Sequence, residues 1–422
     1  MTYKNNFKIA VIGLGYVGLP LAIELSNEYD VVGFDINSDR VKEIKNGIDI
    51  TKELDKEKIL NSKKFIATDL VSKITNLDIY IITVPTPITI ENEPDLSNLV
   101  EAAKIVGKSI KKESIVVIES TVYPGITEDF IQPIIAESSG LIPKKDFNMG
   151  YSPERVNPGD KIHTVDKIVK VVAGDNIKTT KLLAEIYRKI IKAGIFEATS
   201  IRVAEASKAI ENAQRDINIA FINEVAMICK KLKINSLDVL NAAKTKWNFL
   251  DFSPGLVGGH CIGVDPYYLA KSAIDVGHQP EMILAGRKIN DGMPKFIFKQ
   301  IKIKISKNIR ILFLGLTFKE NVRDLRNSKS ADLAKLLIED GYILDIYDPQ
   351  VEHQRARNEY KINIKKPNGK YGCVVIAVPH KEFFNMSKTE VLSILEKDAL
   401  LVDIKGIWKN LDLPKSIKRW NL

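Results

Sequence analysis

The chain has 422 residues, which at ~150 residues per domain allows two or three domains. With 45% hydrophobic and 27% charged residues it is an ordinary globular composition, which excludes a disordered, collagen-like or coiled-coil chain. The 62 Lys and Arg against 53 Asp and Glu leave a net +9 spread along the chain, too little to indicate nucleic acid and compatible with a small anionic ligand.

Residues 7–13 (FKIAVIG) are a nearly continuous apolar run, the pattern of a strand buried on both faces. With Lys4 and Lys8 ahead of it and apolar residues running to Ala22, this region imitates a signal peptide. Gly13, Gly15 and Gly18 interrupt it, and no small-residue cleavage site follows. No apolar run approaches the ~18 residues of a membrane span, so a cytoplasmic protein with no membrane partner is expected. A helix over residues 19–28 and a strand over 31–34 follow, the latter ending in Asp35.

G-x-G-x-x-G therefore follows a strand, opens a helix and precedes an acidic residue about 20 positions on, the fingerprint of a dinucleotide site. Gly13 permits the tight turn, Gly15 the approach of backbone to pyrophosphate, and Gly18 close helix–strand packing. The helix N-terminus offers N–H groups and partial positive charge to the phosphates. Asp35 is placed to bind the adenosine ribose hydroxyls and to repel a 2′-phosphate, which favours NAD over NADP.

Further strands are expected over 78–84, 114–119 and 168–173, with a helix over 98–111. Alternating strands and helices make a parallel, doubly wound sheet whose ligands bind beyond the strands' carboxyl ends. Those ends carry Val84-Pro85-Thr86-Pro87 and Glu119-Ser120-Thr121-Val122-Tyr123-Pro124-Gly125, either a nicotinamide-ribose or substrate wall or plain turn chemistry. Residues 201–233 contain no Gly or Pro and repeat apolar residues every three or four, which predicts one amphipathic helix of ~50 Å. A helix that long bridges domains or forms a subunit interface; Lys208 and Asn212 share one face of it.

A second α/β series is expected from strands over 309–315, 343–347, 373–378 and 400–404. Its first turn, 315–319, lacks the full glycine pattern, so a different ligand is expected; a phosphate would explain Lys319, Arg323 and Arg326. The three cysteines, Cys229, Cys261 and Cys373, lie far apart without C-x-x-C, and the five histidines are scattered, so neither a disulfide framework nor a metal site is expected. Cys261 stands in FSPGLVGGHCIGVDP, among Gly255, Gly258, Gly259 and Gly263, where backbone can approach a ligand closely. Asp265 and Pro266 read as the cap and first residue of a helix whose N-terminal field would favour a thiolate.

The motifs together resemble the UDP-glucose/GDP-mannose dehydrogenase family over essentially the whole chain. They are GLGYVGLP at Gly13, VPTP at Val84, ESTVYPG at Glu119, SPER at Ser152, EASKAIENAQRDINIAFINE at Glu205, GGHCIGVDPYYL at Gly258 and GLTFKENVRDLRNS at Gly315. The resemblance implies two Rossmann-like doubly wound domains joined by a long helix in a central helical region. The expected divisions are an NAD-binding domain over 1–199, a central dimerisation and catalytic region over 200–304, and a UDP-sugar domain over 305–422. It implies oxidation of a nucleotide-sugar's primary alcohol to a carboxylate with two NAD, and a homodimer or higher homo-oligomer.

Residue by residue, the resemblance implies that Cys261 attacks the intermediate aldehyde and that Lys208 and Asn212 stabilise oxyanions. Asp265 would assist deprotonation, and Thr121 and Glu154 would hold the hydrolytic water. Asp35 and Arg40 would hold the adenosine side of NAD, with Gly13, Gly15, Tyr16, Val17, Gly18, Thr83, Pro85, Thr86, Glu119, Thr121 and Arg326 also at the cofactor. Glu154, Arg155, Lys208, Asn212, Phe252, Gly255, Gly258, Lys319 and Arg323 would meet the sugar nucleotide. The Cys261 loop and residues 321–324 are more similar to enzymes acting on UDP-N-acetylglucosamine or UDP-N-acetylgalactosamine in capsule and O-antigen synthesis. UDP-N-acetylmannosamine and UDP-glucose are the alternatives. Glycine at Gly255 and Gly263 would leave room for an acetamido group, with Arg323 donating to its carbonyl. A catalytically silent binding protein and a two-electron β-hydroxyacid dehydrogenase are the rival classes. The four residues Cys261, Lys208, Asn212 and Asp265 weigh against the first, and the cysteine and third α/β region against the second.

Overall fold

The computed structural model describes residues 6–89, 91–155 and 164–422; Lys4 lies outside them. The chain divides into two compact units, one up to Glu211 with Tyr267–His278, the other Asn212–Pro266 with Gln279–Leu422.

The first unit is built on an eight-stranded sheet of β1 (Lys8–Ile12), β2 (Asp30–Phe34), β3 (Phe65–Thr68), β4 (Ile79–Ile82), β5 (Ile115–Ile118), β6 (Asn148–Tyr151), β7 (Lys170–Gly174) and β8 (Ile195–Glu197). Their order is β3-β2-β1-β4-β5-β6-β7-β8. Alternate side chains feed two cores: Ala10, Ile12, Tyr80 and Ile82 enter one, Ile9, Val11, Ile79 and Ile81 the other. Burial on both faces is why these strands read as unbroken apolar runs. The expected all-parallel sheet is corrected at one place, since β6 and β7 pair antiparallel. Strands β3, β6 and β8 were not expected, because FIAT, NMGY and IFE are too short or too polar to stand out. In β6, Gly150 is required by packing: a Cβ there would lie 2.4 Å from Leu183.

The second unit holds a five-stranded parallel sheet, β9 (Arg310–Leu314), β10 (Ile343–Tyr347), β11 (Tyr371–Ile376), β12 (Leu395–Asp403) and β13 (Lys418–Trp420), ordered β10-β9-β11-β12-β13. The predicted long helix is a single element, Ile201–Leu232, of 32 residues and about 48 Å. Its start, Ile201 and Ala204, belongs to a core of the first unit. Ala226 packs with Met293, Ile297 and Ile301 of helix Glu281–Lys302 in a core of the second. The region 200–304 thus has no core of its own, and the division between units falls inside the helix.

A π-helix, Ile126–Ile131, follows Gly125, whose φ of +101° only glycine adopts easily. Its first N–H groups are held by Glu205 of the long helix. Oε2 accepts from Gly125 at 2.6 Å and Oε1 from Thr127 at 2.9 Å. Burial pushes the Glu205 carboxyl up to about 7 against these stabilising hydrogen bonds. A carboxyl that ionises later in the folded than in the unfolded chain binds the extra proton when folded between about pH 4.5 and 7, so its contribution to stability falls as pH rises through that window. Glu205→Gln should abolish this slope: its amide keeps one acceptor and loses the other, so it starts below the parent at pH 5 and gains on it by on the order of 1–3 kcal/mol by pH 8. Urea unfolding at the two pH values measures it, and a pH-independent difference would refute the assignment.

Candidate active site

The turn after β1 is shaped by sterics. Gly13 has φ +92° and donates its N–H to Phe34 O at 2.8 Å. A Cβ on Gly18 would lie 1.8 Å from Gly13 O and 2.4 Å from Thr83 Oγ1, so helix Gly18–Leu25 touches the turn directly. At Gly15 the opposite holds: an added Cβ meets no protein atom within 4 Å. Gly15 is therefore not required by the fold; it leaves open space above the turn, where a dinucleotide's pyrophosphate would rest. Tyr16 and Val17 are half-buried beside it. Asp35 accepts from Leu14 N–H at 2.8 Å and Asn37 N–H at 2.9 Å, and each carboxylate oxygen keeps a lone pair for a ribose hydroxyl. The residues present fit NAD.

Three of the expected cofactor residues hold protein partners. Arg40 is buried, its Nε donating to Leu14 O at 3.0 Å and Nη2 to Asp49 at 2.7 Å, so it braces the turn from behind. Thr83 Oγ1 lies 2.8 Å from Gly13 O and 3.0 Å from Ile12 O, and it too serves the turn. Glu119 is buried, its carboxylate accepting from Lys170 Nζ at 2.7 Å and from the Tyr187 hydroxyl. Its side chain supports the sheet from within, and desolvation raises its pKa against the attraction of Lys170.

The ends of β4 and β5 do meet. Thr86 Oγ1 donates to Thr121 O at 2.8 Å, Ser120 Oγ to Val84 O at 2.6 Å, and Asn98 Nδ2 to Pro85 O at 3.1 Å. Tyr268, buried and edge-on to Tyr123, lies 2.9 Å from Thr86 O and 3.0 Å from Pro87 O. Beyond β6, Glu154 Oε1 accepts from Arg155 N–H at 2.7 Å, and Lys170 Nζ lies 3.8 Å from Glu154 Oε2. Arg155 is bound to Glu211 at 2.6 Å and to Val169 O at 2.9 Å. Lys208 is buried on the long helix.

In the second unit the Cys261 loop is clamped at both ends by asparagines. Asn223, buried on the long helix, accepts from Gly255 N–H at 2.8 Å and donates to Gly255 O at 3.1 Å. It also donates to Asn290 at 2.8 Å, whose amide reaches Asp216 at 2.7 Å, and Asp216 in turn accepts from Arg287 at 2.6 Å. Asn327 accepts from Gly259 N–H and donates to Gly259 O, each at 3.1 Å. At the two glycines expected to leave space, an added Cβ would meet protein. A Cβ on Gly263 would stand 3.0 Å from both Asn327 Nδ2 and Gly259 O, and one on Gly255 would stand 3.0 Å from Lys405 Cε. Both glycines are in close contact with the protein, Gly263 with an amide and a backbone carbonyl and Gly255 with the end of a lysine side chain. Gly258 and Gly259 are equally filled, by Asn327 O and the Phe318 ring.

Cys261 is half-buried and outside any disulfide. Its carbonyl accepts from Val264 at 3.1 Å and Asp265 at 2.8 Å, so the chain is already turning where helix Asp265–Asp275 begins. Asp265 is buried and accepts from Asn212 Nδ2 at 2.5 Å. Phe252 is half-buried at the start of the loop. Arg326 is held by Asp324 through Nε at 3.0 Å and Nη2 at 2.6 Å. Burial pushes the Asp324 carboxyl up, but these bonds outweigh it and its pKa is lowered. His260, beside the cysteine, lies 3.5 Å from Asp324 and edge-on to Phe318. Lys319 and Arg323 are half-exposed on the same loop as Arg326. Sequence reasoning missed Asn223, Asn290, Asn327 and His260 as site residues, although three of them stand inside quoted motifs; nothing in a linear pattern says that an asparagine will bind a glycine across the fold.

Three matches to the UDP-glucose/GDP-mannose dehydrogenase family cover the chain: its NAD binding domain over residues 7–191, central domain over 202–292 and UDP binding domain over 312–410. The chain belongs to this family. It is an NAD-dependent dehydrogenase. It is 47% identical to a UDP-N-acetyl-D-glucosamine 6-dehydrogenase of Pseudomonas aeruginosa over 98% of this chain and 99% of that one. To Protein CapL of Staphylococcus aureus it is 45% identical over 99% of this chain and 100% of that one. Its fold is similar to that of a UDP-D-ManNAc dehydrogenase from Pyrococcus horikoshii, with a TM-score of 0.86, 30% identity and 98% of each chain covered. Among the described residues no helix is long and apolar enough to cross a membrane, and no group of three His, Cys, Asp or Glu could hold a metal ion.

The contrast between two glycines makes a direct test. Gly15→Ala should fold with an unchanged melting temperature and raise KM for NAD at least tenfold. Gly18→Ala should destabilise the protein itself. A Gly15 variant with normal NAD affinity would show that the open space is not the cofactor's.

Proposed function

We propose that this chain oxidises the C6 alcohol of UDP-N-acetylglucosamine, or its C4 epimer UDP-N-acetylgalactosamine, to the uronic acid. The observation that carries this reading is the 47% identity, end to end, to a protein named for the first of these substrates, against 33% to one named for the mannosamine epimer. The likeness to CapL supports a role in surface polysaccharide synthesis.

NAD supplies the hydride acceptor, one molecule for each of the two oxidations. The primary alcohol loses a proton and a hydride to give the aldehyde. The Cys261 thiolate adds to the aldehyde carbon, and the resulting thiohemiacetal loses a second hydride to become a thioester. Water, positioned by Thr121 and Glu154, cleaves it to release the carboxylate and restore the thiol. Lys208 stabilises oxyanions by charge and Asn212 by hydrogen bonding. The bond from Asn212 to Asp265 fixes the carboxylate that takes protons from the attacking groups. Lys319 and Arg323 offer positive charge to the diphosphate, and Asp35 binds the adenosine ribose of NAD.

The enzyme is read as a cytoplasmic homodimer. Val203, Ile210, Phe221, Ile228 and Leu232 form an exposed apolar stripe along the long helix, which a second copy would cover. Light scattering on the purified protein tests this.

Two NADH should form per UDP-N-acetylglucosamine consumed, with kcat/KM for that substrate or UDP-N-acetylgalactosamine at least tenfold above UDP-glucose and UDP-N-acetylmannosamine. A preference for either of the last two would reassign the substrate. Cys261→Ser should lose net turnover by several orders of magnitude while still binding NAD and UDP-sugar, since an alkoxide leaves less readily than a thiolate. Near-normal turnover in that variant would remove the thioester from the mechanism.

A further inference from the structure

The loop bearing Lys319 has no secondary structure to hold it. Thirteen residues, 316–328, separate Gly315 from helix Lys329–Glu339, whereas in the first unit the glycine turn runs straight into its helix. Its shape comes instead from a buried pair at the ends of β10 and β11, Asp348 and His380. Asp348 Oδ2 accepts from Leu316 N–H at 2.6 Å and Thr317 N–H at 3.1 Å. His380 Nδ1 accepts the backbone N–H of Asn321 at 2.9 Å. Because Nδ1 accepts, the ring proton lies on Nε2, which faces Asp348 Oδ2 at 3.0 Å and Thr317 Oγ1 at 3.2 Å. Thr317 Oγ1 donates onward to Lys319 O at 2.9 Å, and Asn321 Oδ1 accepts from Lys381 N–H at 2.9 Å. Lys319 is thus gripped through both neighbours, by Thr317 on one side and by Asn321, with a left-handed φ of +59°, on the other.

We infer that His380, which is fully buried and so beyond the reach of a ligand, is a positioning residue for the sugar nucleotide, fixing Lys319 through Thr317 and Asn321. The inference rests on the reading of Lys319 as a substrate contact. Burial pushes the Asp348 carboxyl up, but its bond to His380 and the backbone N–H groups outweigh this and hold it ionised. A neutral histidine is suited to the place: one nitrogen accepts from the loop, and the other donates to the carboxylate that holds the loop's first residues.

The two ring nitrogens can be removed separately. In His380→Asn the side-chain oxygen can take the place of Nδ1, keeping the acceptor for Asn321. In His380→Gln the amide can reach toward Asp348 but not serve Asn321. The full-length protein is titrated with UDP by calorimetry, and KM is measured for UDP-sugar and NAD separately. His380→Gln is expected to weaken UDP binding and raise KM for UDP-sugar at least tenfold with KM for NAD within twofold of the parent, and His380→Asn to recover most of the loss. Lys319→Ala provides the reference. If it raises KM for UDP-sugar while His380→Gln does not, the positioning role is overturned. The role is also overturned if a folded His380→Gln changes both KM values alike. If Lys319→Ala leaves UDP binding unchanged, the substrate reading of Lys319 falls first and the purpose of the clamp with it.

Discussion

Each unit depends on one contact: a carboxylate at the end of its second strand accepts backbone N–H from the sharp turn that ends its first. Asp35 serves Leu14, and Asp348 serves Leu316 and Thr317. The need is elementary. A chain leaving a buried strand through a left-handed glycine, Gly13 at φ +92° or Gly315 at φ +89°, exposes N–H groups that no strand neighbour can accept. An acid on the adjacent strand satisfies them without an added layer of structure. In the first unit it keeps lone pairs, which the proposed function gives to a ribose. In the second it is closed off by His380, and the proposed binding groups lie on the long loop. The same strand-and-turn frame thus carries two ligand chemistries, set by whether a helix or a long loop succeeds the turn.

The chemistry around Cys261 rests on buried polar groups that would be liabilities elsewhere. Asp216 and Arg287 are almost completely buried, and desolvation raises the Asp216 carboxyl against the pull of Arg287. Such a pair adds little net stability relative to an apolar pair, but losing one member leaves an uncompensated charge and costs about 3–5 kcal/mol. What it provides here is orientation. Asp216 fixes the amide of Asn290, which fixes Asn223, whose two remaining bonds hold Gly255. A glycine-rich loop left to itself would sample many backbone states. Held at Gly255 by Asn223 and at Gly259 by Asn327, it presents the cysteine in one.

The longer apolar strands, the long helix and the glycine turn were legible because each follows from sterics or periodicity along the chain itself. Residues 343–347 form β10 with those bounds, and Gly18 sits where a single Cβ would strike Gly13 O. Polar residues near the ligand were legible as important but not as to which way they face. Arg40, Thr83 and Glu119, expected at the cofactor, are bonded to the protein here, because a loop that must meet a ligand first needs its own hydrogen bonds satisfied. Nor does the sequence tell that Gly255 lies against Lys405 and Gly263 against Asn327. His380 lies outside every motif of the sequence, and its link to Asn321 spans 59 residues. Only the sheet brings them together.

The long helix shows how strongly these demands override ordinary patterning. Glu205, Asn212, Asp216 and Asn223 are separated by intervals of seven, four and seven, which at about 3.6 residues per turn places them on one face. Each is bonded there: Glu205 to the N–H groups of Gly125 and Thr127, Asn212 to Asp265, Asp216 to Arg287, and Asn223 to Gly255. Val203, Ile210, Phe221 and Ile228 lie on the opposite face, exposed. A surface helix normally buries its apolar stripe and exposes its polar one; this helix buries Ala209, Ala213, Ala220 and Ile222 in that way, and adds a buried polar row and an exposed apolar one. The polar row is stable inside because each of these four residues has a partner. The exposed row is interrupted by Gln214 and flanked by Glu224, both exposed, so water meets it as a mixed surface rather than a continuous apolar one; covering Val203, Ile210, Phe221 and Ile228 would remove apolar area from water at the cost of desolvating those two polar side chains.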